Sequence, residues 1–202
     1  DFNTLRLATC LTVEHSDHGS VRVQTVEHLL SALHANGVDN VLVELDGPEV
    51  PILDGSAAPI LYLIEEAGVR VQSAPKKMLR IEKPFHFTHN DKKMSALPHK
   101  NFKVSYEIHF DHPLIQRQKK SIVVNAKTYE TQIARARTFG FLKDVNQLKK
   151  MGMIQGGSIE NAIVLDGDRM LNDSLRLEDE FVSHKILDLV GDLAVSGFQL
   201  QG

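Results

Sequence analysis

The chain has no tryptophan, one cysteine and seven prolines in 202 residues, and only 6% of it is aromatic. A single cysteine, Cys10, cannot close an intramolecular disulfide, so a disulfide scaffold is excluded and a reducing compartment is implied. It also disfavours a structural zinc site closed by thiolates. No stretch approaches the roughly 20 apolar residues of a spanning helix, and the polar start Asp1-Phe2-Asn3-Thr4 does not resemble a signal peptide. These absences predict a cytoplasmic protein without a transmembrane segment; a monomer is expected, though no residue pattern specifies it. A basic excess is lacking too: 23 Lys and Arg stand against 26 Asp and Glu, a net charge of -3. Bulk nucleic-acid binding needs a basic face and is therefore excluded. What remains, 42% hydrophobic and 24% charged residues, is ordinary globular composition in a chain long enough to bury a sizeable core.

The apolar pattern predicts mixed structure. Residues 1–13 read as a strand, or as a strand preceded by a short helical turn, and Val21 to Val23 as a second strand beyond a turn at Asp17-His18-Gly19. Leu29, Leu30, Ala32 and Leu33 follow helical spacing over Val26 to Ala35, with Asn36-Gly37 as the stop. Val41 to Leu45 reads as a strand, and Pro59 opens a second helix ending near Gly68. Pro75-Lys76-Lys77 is the best linker. Beyond it, strands are expected at Leu79 to Ile81, Phe85 to Thr88, Met94 to Ala96, Phe102 to Phe110, Ser121 to Asn125 and Ala162 to Leu165. Helices are expected at Lys127 to Ala136, Val145 to Met151 and Glu178 to Ser196. The expected class is α+β: two similar two-layer lobes, 1–75 and 76–202, each a sheet packed with two helices.

The chemistry concentrates in two places. Glu27 and His28 sit side by side where a strand end runs into a helix, and His184 and Asp188 lie four residues apart on one helix face. From spacing alone the second pair has two readings, a solvated i,i+4 pair or two metal ligands. Together, His28, His184 and Asp188 make a mononuclear zinc set with a fourth position left for water, and Glu27 is placed to act as general base toward that water. The same donors accept Fe2+ as well as Zn2+.

Several longer motifs add to this pattern: Thr25-Val26-Glu27-His28-Leu29, Pro48-Glu49-Val50-Pro51-Ile52-Leu53-Asp54-Gly55-Ser56-Ala57, Ala136-Arg137-Thr138-Phe139-Gly140-Phe141, Gly156-Gly157-Ser158 and His184 through Asp192. In order and over nearly the whole chain, they resemble the UDP-3-O-acyl-N-acetylglucosamine deacetylase family, zinc-dependent amide hydrolases of lipid A synthesis. The resemblance implies that His28, His184 and Asp188 are the metal ligands, Glu27 the general base and Thr138 an oxyanion donor. It places Lys185 and Lys92 on the diphosphate side of a UDP-sugar substrate. Lys92 also reads as a solvated hairpin tip. An acyl passage is implied between Phe141 and Val164, past Val145, Ile159 and Ile163, for which core packing is the other reading. Asp54 is implied as a supporting residue, and an Asp before Gly-Ser is equally a turn residue. Asp192 matches a carboxylate that in the family pairs with a histidine downstream of this chain's last residue. The resemblance likewise implies that the family's leading strands are absent from this chain, so that residue 1 falls inside the first lobe. The resemblance therefore leaves two readings, a deacetylase or a catalytically impaired fragment that binds zinc and sugar nucleotide.

Overall fold

A computed structural model describes residues 8–15, 19–145 and 156–202, with His15 described in its backbone only. The α+β class holds. Strand β1 (Cys10–His15) pairs antiparallel with β2 (Gly19–Gln24), as the expected turn requires; the turn residues 16–18 themselves lie outside the described residues. Helix α1 (Glu27–Ala35) follows, and Asn36 and Gly37 end it, the glycine adopting φ +68°. Helix α2 (Ala58–Ala67) has Pro59 in its first turn, where a missing N–H costs nothing, and stops at Gly68.

After an irregular stretch come β3 (Met78–Arg80), β4 (Phe85–His89), β5 (Lys92–Ala96), β6 (Lys103–His109) and β7 (Arg117–Val123). Next are α3 (Ala126–Gln132), β8 (Phe139–Phe141), β9 (Ile163–Asp166), β10 (Arg169–Met170), α4 (Glu180–Ala194) and β11 (Gln199–Gln201). Among the described residues the strands form one three-stranded sheet, β10-β9-β8, and four two-stranded pairs.

Two expectations need correction. Val41 to Leu45 is not a strand: among the described residues no other strand pairs with it, and Leu42 is 84% exposed. A β-branched, apolar run becomes a strand only where a neighbour takes up its N–H and C=O groups. The helix expected over Lys127 to Ala136 ends at Gln132, because Ile133 leaves helical geometry at φ -127°. The start of that helix is well specified, since Asn125 and Thr128 form a reciprocal capping box. Of the helix expected at Val145 to Met151, only Val145 is described, as the last residue of a single helical turn over 142–145, and the remainder lies outside the described residues.

Helix α4 is the spine of the fold. Ile186, Leu187 and Val190 enter one apolar cluster with Ala32, Ile60, Leu61, Ile122 and Tyr129. Phe181 and Val182 enter a second with Ile108, Ile115, Ile163 and Leu165. Helix α1 crosses α4 so closely that a Cβ on Gly191 would stand 2.0 Å from the backbone oxygen of Glu27. Gly191→Ala is therefore expected to cost about 1–3 kcal/mol through overpacking, seen as a lower midpoint in urea. An unchanged midpoint would mean that the helices separate freely.

Candidate metal centre

The α1–α4 crossing brings the sequence-predicted donors together. Thr25 turns β2 into α1 with φ +59°, unusual for a β-branched residue and therefore strained. It is held there by its hydroxyl, which donates to Glu49 Oε1 at 2.6 Å, and by hydrogen bonds from Gln24 N to Pro48 O (2.9 Å) and from Val50 N to Gln24 O (3.0 Å). That turn sets Glu27 and His28 in the first turn of α1, facing His184 and Asp188 of α4.

Oδ1 of Asp188 lies 3.6 Å from Nε2 of His28 and 3.3 Å from Nε2 of His184. Both separations are long for a charge-assisted hydrogen bond. They match the edge of a coordination tetrahedron, since two ligands bound to one zinc ion at tetrahedral angles stand about 3.3–3.4 Å apart. One donor atom from each of the three residues lies within 4.8 Å of the others. The tautomer fits as well. Nδ1 of His184 is 3.0 Å from the Ala136 carbonyl, which can only accept, so Nδ1 carries the proton and Nε2 keeps its lone pair. Burial of the wholly enclosed ring lowers the His184 pKa to about 4 against the opposing attraction of Asp188, with His28 and Lys185 adding to the lowering, so the ring stays neutral near pH 7. Nδ1 of His28 is buried with no hydrogen-bond partner among the described residues. The donor set thus fits a divalent metal of the zinc type.

Asp188 is ionised. Burial opposes this, but the two imidazoles and Lys185 outweigh it and hold the carboxyl far below the usual carboxylate range. Lys185 donates to Oδ2 at 2.9 Å, which leaves Oδ1 for the centre, and its ammonium also sits 5.3 Å from the centre of the Phe139 ring. Its pKa is raised, because the attraction of Asp188 exceeds the penalty of burial.

Glu27 is buried, and burial pushes its carboxyl up despite hydrogen bonds from its own amide and that of Thr9. The Thr9 amide donates to Oε2 at 2.9 Å. The Thr9 hydroxyl donates to Asp192 Oδ1, so one residue touches both carboxylates.

Thr138 follows Arg137 past the site. Its amide donates to Gly55 O at 2.8 Å and its carbonyl accepts from Ile163 N at 2.8 Å. Gly55 must be glycine: its φ is +81°, and a Cβ there would meet Asn161 O at 1.9 Å. Asp54 supports this loop by accepting from Ser56 N and Oγ and from Arg176 at 2.6 Å. Those bonds hold its pKa low in spite of burial.

The other expected residues are more dispersed. Lys92 is exposed at the start of β5. Phe141 packs beside Phe110 and His112 in the second cluster, Ile163 is core, and Ile159 is 48% exposed. Three participants were missed. Thr9 has no local signature. Arg137 and Glu180 form a buried pair, and Glu180, His184 and Asp188 at i, i+4 and i+8 were a readable polar stripe on an otherwise apolar helix face.

Two imidazoles, a carboxylate and an adjacent glutamate thus meet at one helix crossing of an α+β chain, the donor types that metal-assisted hydrolysis uses. The chain belongs to the LpxC family, described as UDP-3-O-acyl N-acetylglycosamine deacetylase, whose model matches residues 2–202. Relatives carry the name UDP-3-O-acyl-N-acetylglucosamine deacetylase. The one from Myxococcus xanthus is 54% identical over 178 residues, covering 88% of this chain and 57% of its own. The one from Shewanella oneidensis is 46% identical over 201 residues, 98% of this chain and 65% of its own. The one from Nautilia profundicola is 50% identical over 177 residues, 88% and 61%. The chain thus spans 57 to 65% of the length of these relatives. Among the described residues no helix is long and apolar enough to cross a membrane.

Proposed function

We propose that the protein removes the acetyl group of UDP-3-O-acyl-N-acetylglucosamine, the committed step of lipid A synthesis, in the cytoplasm and as a monomer. One Zn2+, with Fe2+ as the alternative, is held by His28, His184 and Asp188 between an N-terminal lobe, 1–75, and a second lobe, 76–202. The observation that carries this reading is the convergence of Asp188 Oδ1 on two imidazole nitrogens at 3.3 and 3.6 Å, beside a buried glutamate.

When bound, the ion would polarise the amide carbonyl and acidify a water molecule. Glu27 accepts that water's proton as the carbonyl is attacked, a role suited to a carboxylate whose affinity for protons burial has raised. The Thr138 hydroxyl donates to the developing oxyanion. Asp188, fixed by Lys185 at its other oxygen, keeps Oδ1 directed at the centre. Lys185 and Lys92 supply positive charge for the diphosphate, Phe141 and Ile159 apolar surface for the acyl chain, and Asp192 a carboxylate partner for an acid group. A UDP-sugar lipid is the partner; nucleic acid is not.

The test is acetate release per bound metal, measured for the 202-residue chain and for a chain of its relatives' full length. Both should release acetate only when metal-loaded, the longer chain at least about 10² faster, the low end of what a general acid contributes. No release from either overturns the assignment. Equal rates would show that the residues described here complete the reaction unaided.

A further inference from the structure

We propose that Glu180 and Arg137 are positioning residues for the metal centre: through the Ala136 carbonyl they set the tautomer and ring orientation of His184. The inference rests on His184 being a ligand. Glu180 is wholly buried one helical turn before His184, and Arg137 is 7% exposed. Glu180 Oε1 accepts from the Arg137 amide and from its Nε, both at 2.9 Å, and Oε2 accepts from the Arg137 guanidinium at 3.2 Å and from the Arg176 amide at 2.5 Å. The guanidinium also donates to Ser174 O at 2.8 Å.

A buried ion pair is weak evidence for stability, because desolvation consumes most of the attraction. This pair does something more specific. It bonds the backbone of residue 137 to α4, and the peptide it grips carries the Ala136 carbonyl that receives the His184 Nδ1 proton at 3.0 Å. The ligand and its orienting acceptor are thus referenced to one carboxylate on one helix. Without the clamp the carbonyl is free to drift from the ring. The proton can then move to Nε2, which no longer has a lone pair to give. Partners of this kind behind a ligating histidine typically govern metal affinity by about 10–100-fold.

The experiment pairs two readouts that a merely structural role would not move. In the metal-free protein with 15N-labelled histidine, long-range 1H–15N spectra should show His184 with its proton on Nδ1. Zn2+ affinity, measured by chelator competition on folded protein, should fall about 10–100-fold in Glu180→Gln. It should fall less in Arg137→Lys, which keeps the backbone bond to Glu180. The His184 tautomer signal should become mixed in Glu180→Gln and shift in the same direction by less in Arg137→Lys.

An Nε2 proton in the wild-type protein overturns the inference without any variant. So do variants that melt earlier yet keep wild-type tautomer and affinity, since that is the signature of a structural pair. If Glu180→Gln does not fold, Arg137→Lys carries the comparison. Wild-type protein that takes up no Zn2+ overturns the metal reading itself, and this inference with it, a result distinct from the others.

Discussion

The parent chain is expected to take up one equivalent of divalent metal, and His28→Ala combined with His184→Ala is expected to abolish that binding. A three-donor site that loses two donors keeps one carboxylate, and Asp188 alone with Lys185 on its other oxygen is an ion pair rather than a site. Acetate release should fall to the uncatalysed level. The decisive measurement is metal content per folded chain after gel filtration, with circular dichroism as the check on folding. Each ring is buried, so some loss of stability will accompany the loss of metal. Stoichiometric metal in the folded double variant would remove His28 and His184 from the ligand set.

Glu27→Gln should act on rate and leave metal content alone. Glutamine keeps the shape of the side chain and its acceptor for the Thr9 amide, but it cannot take a proton. A general base contributes typically about 10²–10⁴ in rate, and the loss should lie in that range. It should appear in kcat, because proton abstraction belongs to the transition state and not to substrate binding. A variant that loses its metal while keeping turnover per remaining ion would make Glu27 a ligand.

The elements that sequence could specify are those whose signals are local. Helix α1 has an apolar stripe and an Asn-Gly stop, α2 a proline start and a glycine stop, and α4 a long amphipathic run; each lies within a few residues of its expected bounds. The segment 41–45 failed for the opposite reason: its apolar run Val41-Leu42-Val43 looks as strand-like as β6, but β6 has β7 beside it and 41–45 has no strand partner among the described residues. The site divides in the same way. His184 and Asp188 share one helix face, and Glu27 adjoins His28, so spacing exposed them. Thr9 with Asp192, 183 residues apart, and Arg137 with Glu180, 43 apart, meet only because the chain folds. Periodicity carries no trace of such pairs.

The Thr9 contact with Glu27 differs in kind from its contact with Asp192. Its donor is a main-chain N–H, a group that every residue except proline possesses. The anchoring of one carboxylate oxygen is therefore robust to nearly any substitution at position 9, whereas the hydroxyl contact to Asp192 survives only as serine or threonine. The two carboxylates that meet at this residue are thus held unequally: the hold on Glu27 is written into the backbone, and the hold on Asp192 into a single side chain that one substitution can remove.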